Sequence, residues 1–230
     1  MPRGDKNQFI NDQMKKNILC SWSGGKDSCF ALMQAIQLGY TPTILLNVLN
    51  EEGKISRSHG IPEEILQQQA KAAELPVHLI SSSWKDYEQY FTAALSQLKE
   101  KYQLTHAVFG DVDLQAHRDW EEKVCNAAGL TAVLPLWQQD RKKLVLQMLE
   151  AGIETIIVSC NATMGERFIG RPITVALVEE LEAMGIDPCG ENGEYHTLVL
   201  DCPLFVERIN VCVMEKIQHE NYWFAKLELA

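Results

Sequence analysis

Two short segments carry most of the chemistry this sequence can offer. Ser23-Gly24-Gly25-Lys26-Asp27-Ser28 follows the apolar run Ile18-Leu19-Cys20 and precedes a strongly amphipathic stretch. Paired glycines let the backbone turn sharply enough for successive N–H groups to converge, and a helix starting there aims its positive end at the same point. The expected guest is an anion of several charges. The second segment, Gly190-Glu191-Asn192-Gly193-Glu194-Tyr195-His196-Thr197, brings together two carboxylates, an imidazole and a hydroxyl between glycines. Carboxylates near a bound triphosphate can hold Mg²⁺, orient an amine nucleophile or accept its proton. The spacing alone is equally compatible with a solvated hairpin turn around Asn192-Gly193.

The glycine pair is not a Walker loop, which wants a glycine where Cys20 stands and Ser or Thr where Asp27 stands. Three further groups sit where a ligand could reach them. Gly110-Asp111-Val112-Asp113 follows an apolar run and leads, with His117 and Arg118, into a helical pattern, although Asp113 could simply cap that helix. Ser56-Arg57-Ser58-His59-Gly60 precedes a helix opened by Pro62, Glu63 and Glu64, and its Arg57 and His59 could meet a phosphate or carboxylate. Arg171, just before a proline read as the first turn of the last long helix, could grip a carboxylate bidentately or lie on the surface.

The elements that must position these groups show in the hydrophobic pattern. Cys29, Leu32, Met33 and Ile36 repeat at helical spacing up to Gly39, so a strand, a glycine turn and a helix follow in order. Apolar runs at Thr43 to Leu49, Val77 to Ile80, Ala107 to Phe109 and Ile156 to Val158 read as parallel strands covered on both faces. Between them lie helical stripes, one through Tyr87, Phe91, Ala94 and Leu98 and another through Trp120, Val124 and Ala127. Right-handed crossovers of this kind build a doubly wound parallel sheet with its crevice at the strand carboxyl ends, beside Gly24 and Gly110-Asp111. Beyond about Pro135 come helical stripes at Leu144 to Leu149 and at Leu177, Leu181 and Met184. β-like stretches follow at Leu198 to Leu200 and Ile209 to Val213. The expected organisation is a flexible tail over 1–16, a nucleotide domain over 17–134 and a smaller α/β lobe over 135–230.

The bulk composition narrows the partners. A chain of 230 residues with 46% hydrophobic residues can build a real core. Acidic residues exceed basic ones, 31 against 21, and the net charge of −10 disfavours stable nucleic-acid binding. Seven cysteines without a Cys-x-x-Cys pair, no long apolar segment and a polar start fit a reduced, cytoplasmic protein with no membrane span.

The Ser23–Ser28 hexapeptide resembles the loop of PP-loop ATP pyrophosphatases, which implies a HUP/Rossmann-like fold, β and γ phosphates held by the loop, and chemistry at the α phosphate. With the His59-Gly60 segment, Gly110 onward, Gly170-Arg171 and the Glu191–Thr197 box, the chain is similar to the diphthine–ammonia ligase family from about Asn17 to Cys202. That resemblance implies ATP and Mg²⁺, adenylation of a carboxylate, attack by ammonia, and release of AMP and pyrophosphate. Ser23, Gly24, Gly25, Lys26, Asp27, Ser28, Gly110 and Asp111 would hold the nucleotide, with Asp27 on the metal. Lys26, Glu191, Glu194 and His196 would carry catalysis, and His59, Asp113, His117, Arg118, Arg171 and Thr197 would face the substrate. Diphthamide-making members resemble Glu-Gly-Gly-Glu-aromatic-Glu-Thr, whereas Asn192 and His196 stand here. The box thus resembles a bacterial branch whose implied substrate is a small carboxylate, with a corrinoid-related acid among the candidates, rather than a protein; a homo-oligomer is compatible with it. Competing readings are another PP-loop reaction, thiolation or nucleotide amidation, and a nucleotide sensor without turnover.

Overall fold

The run Ile18-Leu19-Cys20 is fully buried and forms the middle of β1 (Asn17–Ser21). The computed structural model describes residues 16–230, so the tail expected over 1–16 lies, apart from Lys16, outside the described residues. After β1 the chain alternates α1 (Lys26–Gln37), β2 (Thr41–Leu49), α2 (Glu63–Ala72), β3 (Val77–Ser81), α3 (Tyr87–Tyr102), β4 (His106–Val108), α4 (Gln115–Ala127) and β5 (Thr131–Val133). The strands hydrogen-bond in the order β3-β2-β1-β4-β5, every pair parallel. This is the doubly wound α/β arrangement: the order reverses between β1 and β4, where such sheets open a ligand crevice.

Local chemistry explains the helices. On α1 the residues Cys29, Leu32 and Met33 are buried, and the helix stops at Leu38-Gly39, where the glycine takes φ +86. On α2, Pro62 sets the entry and Glu63 and Glu64 occupy the positive first turn. Leu19, Ile44, Leu46 and Val48 pack against Phe91, Leu95 and Val124 of α3 and α4. On the opposite face, Ile18, Cys20 and Leu45 pack with α1, α2 and the carboxyl-terminal half in one continuous core.

That half holds α5 (Arg141–Glu150), β6 (Glu154–Asn161), α6 (Val175–Ala183), β7 (Tyr195–Asp201), β8 (Val211–His219) and β9 (Tyr222–Leu229). Its strands make a separate antiparallel sheet in the order β7-β6-β9-β8. The Ile156–Val158 run, expected in the parallel sheet, is therefore the centre of an antiparallel one: a continuous apolar run reports burial on both faces, not the direction of its neighbours. Pro172 does not open the last helix either. It bridges to Ile156, and α6 starts three residues later behind Thr174, whose hydroxyl accepts from Leu177 N at 3.2 Å. β5 and β9 escaped the sequence reading, and the Ile209 stretch becomes strand only from Val211.

Strand β7 lies directly behind the glycine loop. Val199 N donates to Gly24 O at 2.9 Å, and the buried Gln69 amide donates to both Gly24 O (3.0 Å) and Val199 O (2.7 Å). Gln69 Oε1 in turn accepts from Trp22 Nε1 at 3.0 Å, so each of these groups, sealed from water, has a partner.

Candidate active site

The loop between β1 and α1 is held by its own serines. Ser28 Oγ accepts from Ser23 N at 3.2 Å and lies 3.0 Å from Ser23 Oγ, which accepts from Gly25 N at 3.2 Å. Glycine is required at Gly24, where φ is +86 and a Cβ would lie 2.9 Å from Gln69 Oε1. At Gly110, beyond β4, a Cβ would lie 2.7 Å from the Asp27 carbonyl carbon, so the end of β4 presses on the first turn of α1. A cleft of about 720 Å³ opens here, lined by Ser21, Ser23, Asp27 and Ser28 on one side and by Gly190–Gly193, Tyr195 and His196 on the other. The fold thus brings the two chemistry-bearing segments of the sequence into one cleft.

Lys26 behaves differently from the sequence expectation. Its backbone N–H donates to Thr197 Oγ1 at 3.0 Å, while its side chain, 3% exposed, turns away from the cleft. Nζ donates to Asp27 Oδ2 at 2.8 Å and to Cys189 O, and sits 5.2 Å from the centre of the Tyr195 ring. Burial alone would discharge the ammonium, but Asp27 and its neighbours outweigh it and hold the Lys26 pKa well above the usual lysine value. Such a lysine positions the loop and Asp27; its charge does not point at a ligand in the cleft.

Acid groups line the far wall. Asp111 Oδ1 lies 2.6 Å from His117 Nδ1; burial would raise its pKa, but hydrogen bonds from His117 and Glu121 prevail and lower it. Burial, followed by the charge of Asp27, pushes Glu191 up to about 7. Ligand atoms of Asp27, Cys189 and Glu191 fall within 4.8 Å of one another. The two carboxylates suit Mg²⁺, which takes one or two of them together with substrate phosphates; the thiol, a soft donor pushed up by burial, does not.

Across the cleft, the His59 and His196 rings stand 4.5 Å apart. Burial lowers both, His196 to about 4 and His59 well below its usual value, so both are neutral at pH 7. Trp84, Tyr87, Phe109 and Trp120 form an aromatic wall, with Arg57 over the Trp84 ring at 4.9 Å. A side pocket of about 80 Å³ shares Ser21, Ser23, Ser58, His59 and Tyr87 with the cleft. Asn47 and Arg57 belong to its wall, and Asn47 Oδ1 and Arg57 Nε and Nη2 are buried polar atoms that have no protein partner.

The remaining sequence candidates are not on the cleft lining. Asp113 is clamped by Arg141 (2.6 and 2.8 Å), which also binds Asp187. Asp187 accepts from the backbone N–H groups of Cys189 and Glu191, so Asp113 is connected to the cleft only through that chain of hydrogen bonds. Glu194 accepts from Asn192 N and Nδ2. Arg118 pairs with Glu122 and stacks on Trp137, and Arg171 pairs bidentately with Glu180. Thr197, 2% exposed, meets the loop backbone and not the cleft. Gln69 and Glu121 were missed, although each is a polar residue on an otherwise apolar helical stripe, a signal the sequence does contain.

A parallel sheet in this order, with a glycine loop after its first strand and an acid-rich cleft at the reversal of strand order, defines an α/β nucleotide-loop protein. The chain belongs to the diphthamide synthase family: residues 14–132 match the model described as the diphthamide synthase N-terminal domain, and residues 140–230 match that of the C-terminal domain. Similar proteins include the diphthine–ammonia ligase of Schizosaccharomyces pombe, 30% identical over 86% of this chain. The match spans only 36% of the yeast protein's length. The diphthine–ammonia ligases of Bos taurus and Homo sapiens are each 28% identical, over 88% of this chain and 85% of theirs. A solved Methanocaldococcus jannaschii chain described as a tRNA methyltransferase subunit aligns over 81% of this chain and 98% of its own, at TM-score 0.44 and 16% identity. Among the described residues no helix is long and apolar enough to cross a membrane.

Proposed function

We propose that this protein is an ATP-dependent ligase that adenylates a carboxylate and then transfers ammonia to it, releasing AMP and pyrophosphate. The observation that carries the reading is the single cleft walled by both the Ser23–Ser28 loop and the Gly190–His196 segment. The ligase names of its relatives support the same reaction. In this reading residues 17–134 supply the nucleotide side and residues 135–230 the substrate side. The Ser23 and Ser28 side chains and the free first-turn N–H groups of α1 hold the outer phosphates, and the base extends along the cleft toward the side pocket beside Asn47 and Arg57. The substrate carboxylate attacks the α phosphorus and pyrophosphate leaves; ammonia then attacks the acyl carbon and AMP leaves.

Asp27 and Glu191 are the residues that would hold Mg²⁺, whose charge would offset that of the departing pyrophosphate. Lys26 and Thr197 keep the loop and Asp27 in place. Glu191, coordinated to the metal, is held ionised and is not the proton acceptor, and a His196 lowered to about 4 is a weak base. His59, His117, Asp111 and His196 line the acceptor side. The neutral His196 and Asn192 favour a small carboxylate, and six buried free cysteines fit a reducing cytoplasm.

The test is direct. Purified protein is incubated with Mg·ATP, ¹⁵N-ammonium and a metabolite pool, with diphthine-bearing protein in a parallel reaction. AMP, pyrophosphate and a ¹⁵N-labelled amide are expected. ADP with orthophosphate, or no AMP with any acid, overturns the proposal.

A further inference from the structure

On α4 the buried positions are Glu121, Val124 and Cys125, so a carboxylic acid occupies a place on the stripe where an apolar residue belongs. Glu121 is 3% exposed, yet it forms part of the cleft wall, and its Oε2 has no hydrogen-bond partner. A buried acceptor without a partner is destabilising, so a residue that could have been leucine invites a ligand-based explanation.

The surroundings say what kind of ligand. Asp111, Glu191 and Glu122 all act on Glu121 with negative charge, and Asp111 lies close enough to share a hydrogen bond with it. Of the nearby cations, His117 is engaged by Asp111 and Lys26 is held on Asp27. Trp120 and Phe109 also line the cleft wall. An anion is repelled here and a neutral group gains little. Mg²⁺ is better served by the Asp27 and Glu191 oxygens. A small cation with N–H donors and weak hydration suits one orphaned oxygen and a neighbouring carboxylate.

We propose that Glu121 and Asp111 form an ammonium-binding subsite on the α4 wall of the cleft. This rests on the ammonia-ligase reading and adds to it the place where the nitrogen donor is captured. Burial, together with Asp111 and Glu191, pushes Glu121 up to about 11, and a cation against Oε2 acts in the opposite sense, favouring the ionised form.

Thallium(I), a monovalent stand-in for ammonium with strong anomalous scattering, is the probe. Crystals of the full chain soaked in thallium acetate should show a peak against Glu121 Oε2. Ammonium chloride should displace it and sodium chloride of equal ionic strength should not; Glu121→Gln crystals should lack it. No peak at that oxygen, or displacement by sodium as effective as by ammonium, overturns the inference. In turnover assays, Glu121→Gln should raise the Michaelis constant for ammonium about ten-fold without a matching rise for ATP, the loss expected for one hydrogen bond to a charged group. Glu121→Asp should restore part of it. If amide forms with an unchanged ammonium constant, the subsite fails while the ligase reading stands. If thallium binds as described but no AMP ever forms, the ligase reading fails and the cation site remains.

Discussion

The backbone N–H of Lys26 donates to the hydroxyl of Thr197 at 3.0 Å, joining residues 171 positions apart at the first turn of α1. The first turn of a helix has N–H groups with no partner inside the helix, and here a side chain from the other sheet supplies one. The loop that faces the cleft is thereby fixed from behind by β7, in company with the Val199–Gly24 bond.

Thr197→Val keeps the shape of the side chain and removes the acceptor. The buried Lys26 N–H is left unpaired, and a loss of about 1–3 kcal/mol is expected in urea unfolding, with weaker ATP binding by calorimetry. Full retention of both would show that the hydroxyl is dispensable.

Lys26→Met leaves the half-buried Asp27 carboxylate without its counter-ion. Breaking one side of a buried pair costs about 3–5 kcal/mol, and the double variant Lys26→Met/Asp27→Asn should regain part of it. A denaturation midpoint that stays put in the single variant would contradict the caged lysine described above.

Gly110→Ala places a methyl group 2.7 Å from the Asp27 carbonyl carbon and 2.8 Å from Ser28 N, both backbone atoms that cannot swing aside. Overpacking of this kind costs about 1–3 kcal/mol, and ATP affinity should fall with it because α1 must retreat from the cleft. Wild-type affinity for ATP in this variant would mean that the contact is compliant.

Glu191 is protonated below about 7 and ionised above it, because burial and Asp27 disfavour its charge. Mg²⁺ needs the ionised carboxylate, so Mg²⁺ affinity should strengthen as pH climbs through about 7, and Glu191→Gln should weaken binding and remove that dependence. A Mg²⁺ affinity flat from pH 6 to 8 by calorimetry would take Glu191 off the metal.

The parts of this molecule legible in its sequence are those set by local rules. The glycine pair after β1 and the stripe on α1 need only neighbouring residues to be interpreted, and so does the start of α2 at Pro62, Glu63 and Glu64. Chain direction in β6 was not legible, since Ile156–Val158 are buried equally well in either kind of sheet. The three residues of β5 are too few to stand out as a pattern. The direction of the Lys26 side chain depends on Cys189 and Tyr195, which only folding brings near. Arg171 and Arg118 looked like ligand grips because a lone arginine carries no mark of the carboxylate it will pair with. Gln69 and Glu121 were the missed opportunity: a polar residue breaking an apolar helical repeat is visible without coordinates.

The continuous core has a consequence for how the molecule lives and fails. Ile18 and Leu45 of the parallel sheet share one interior with Ile157, Leu198 and Leu227 of the antiparallel one. Severed near Pro135, neither fragment would keep its hydrophobic face covered, and β7 would leave the phosphate loop unsupported. The two halves should therefore melt together as a single cooperative unit, and damage at the distant sheet would reach the nucleotide as surely as damage beside it.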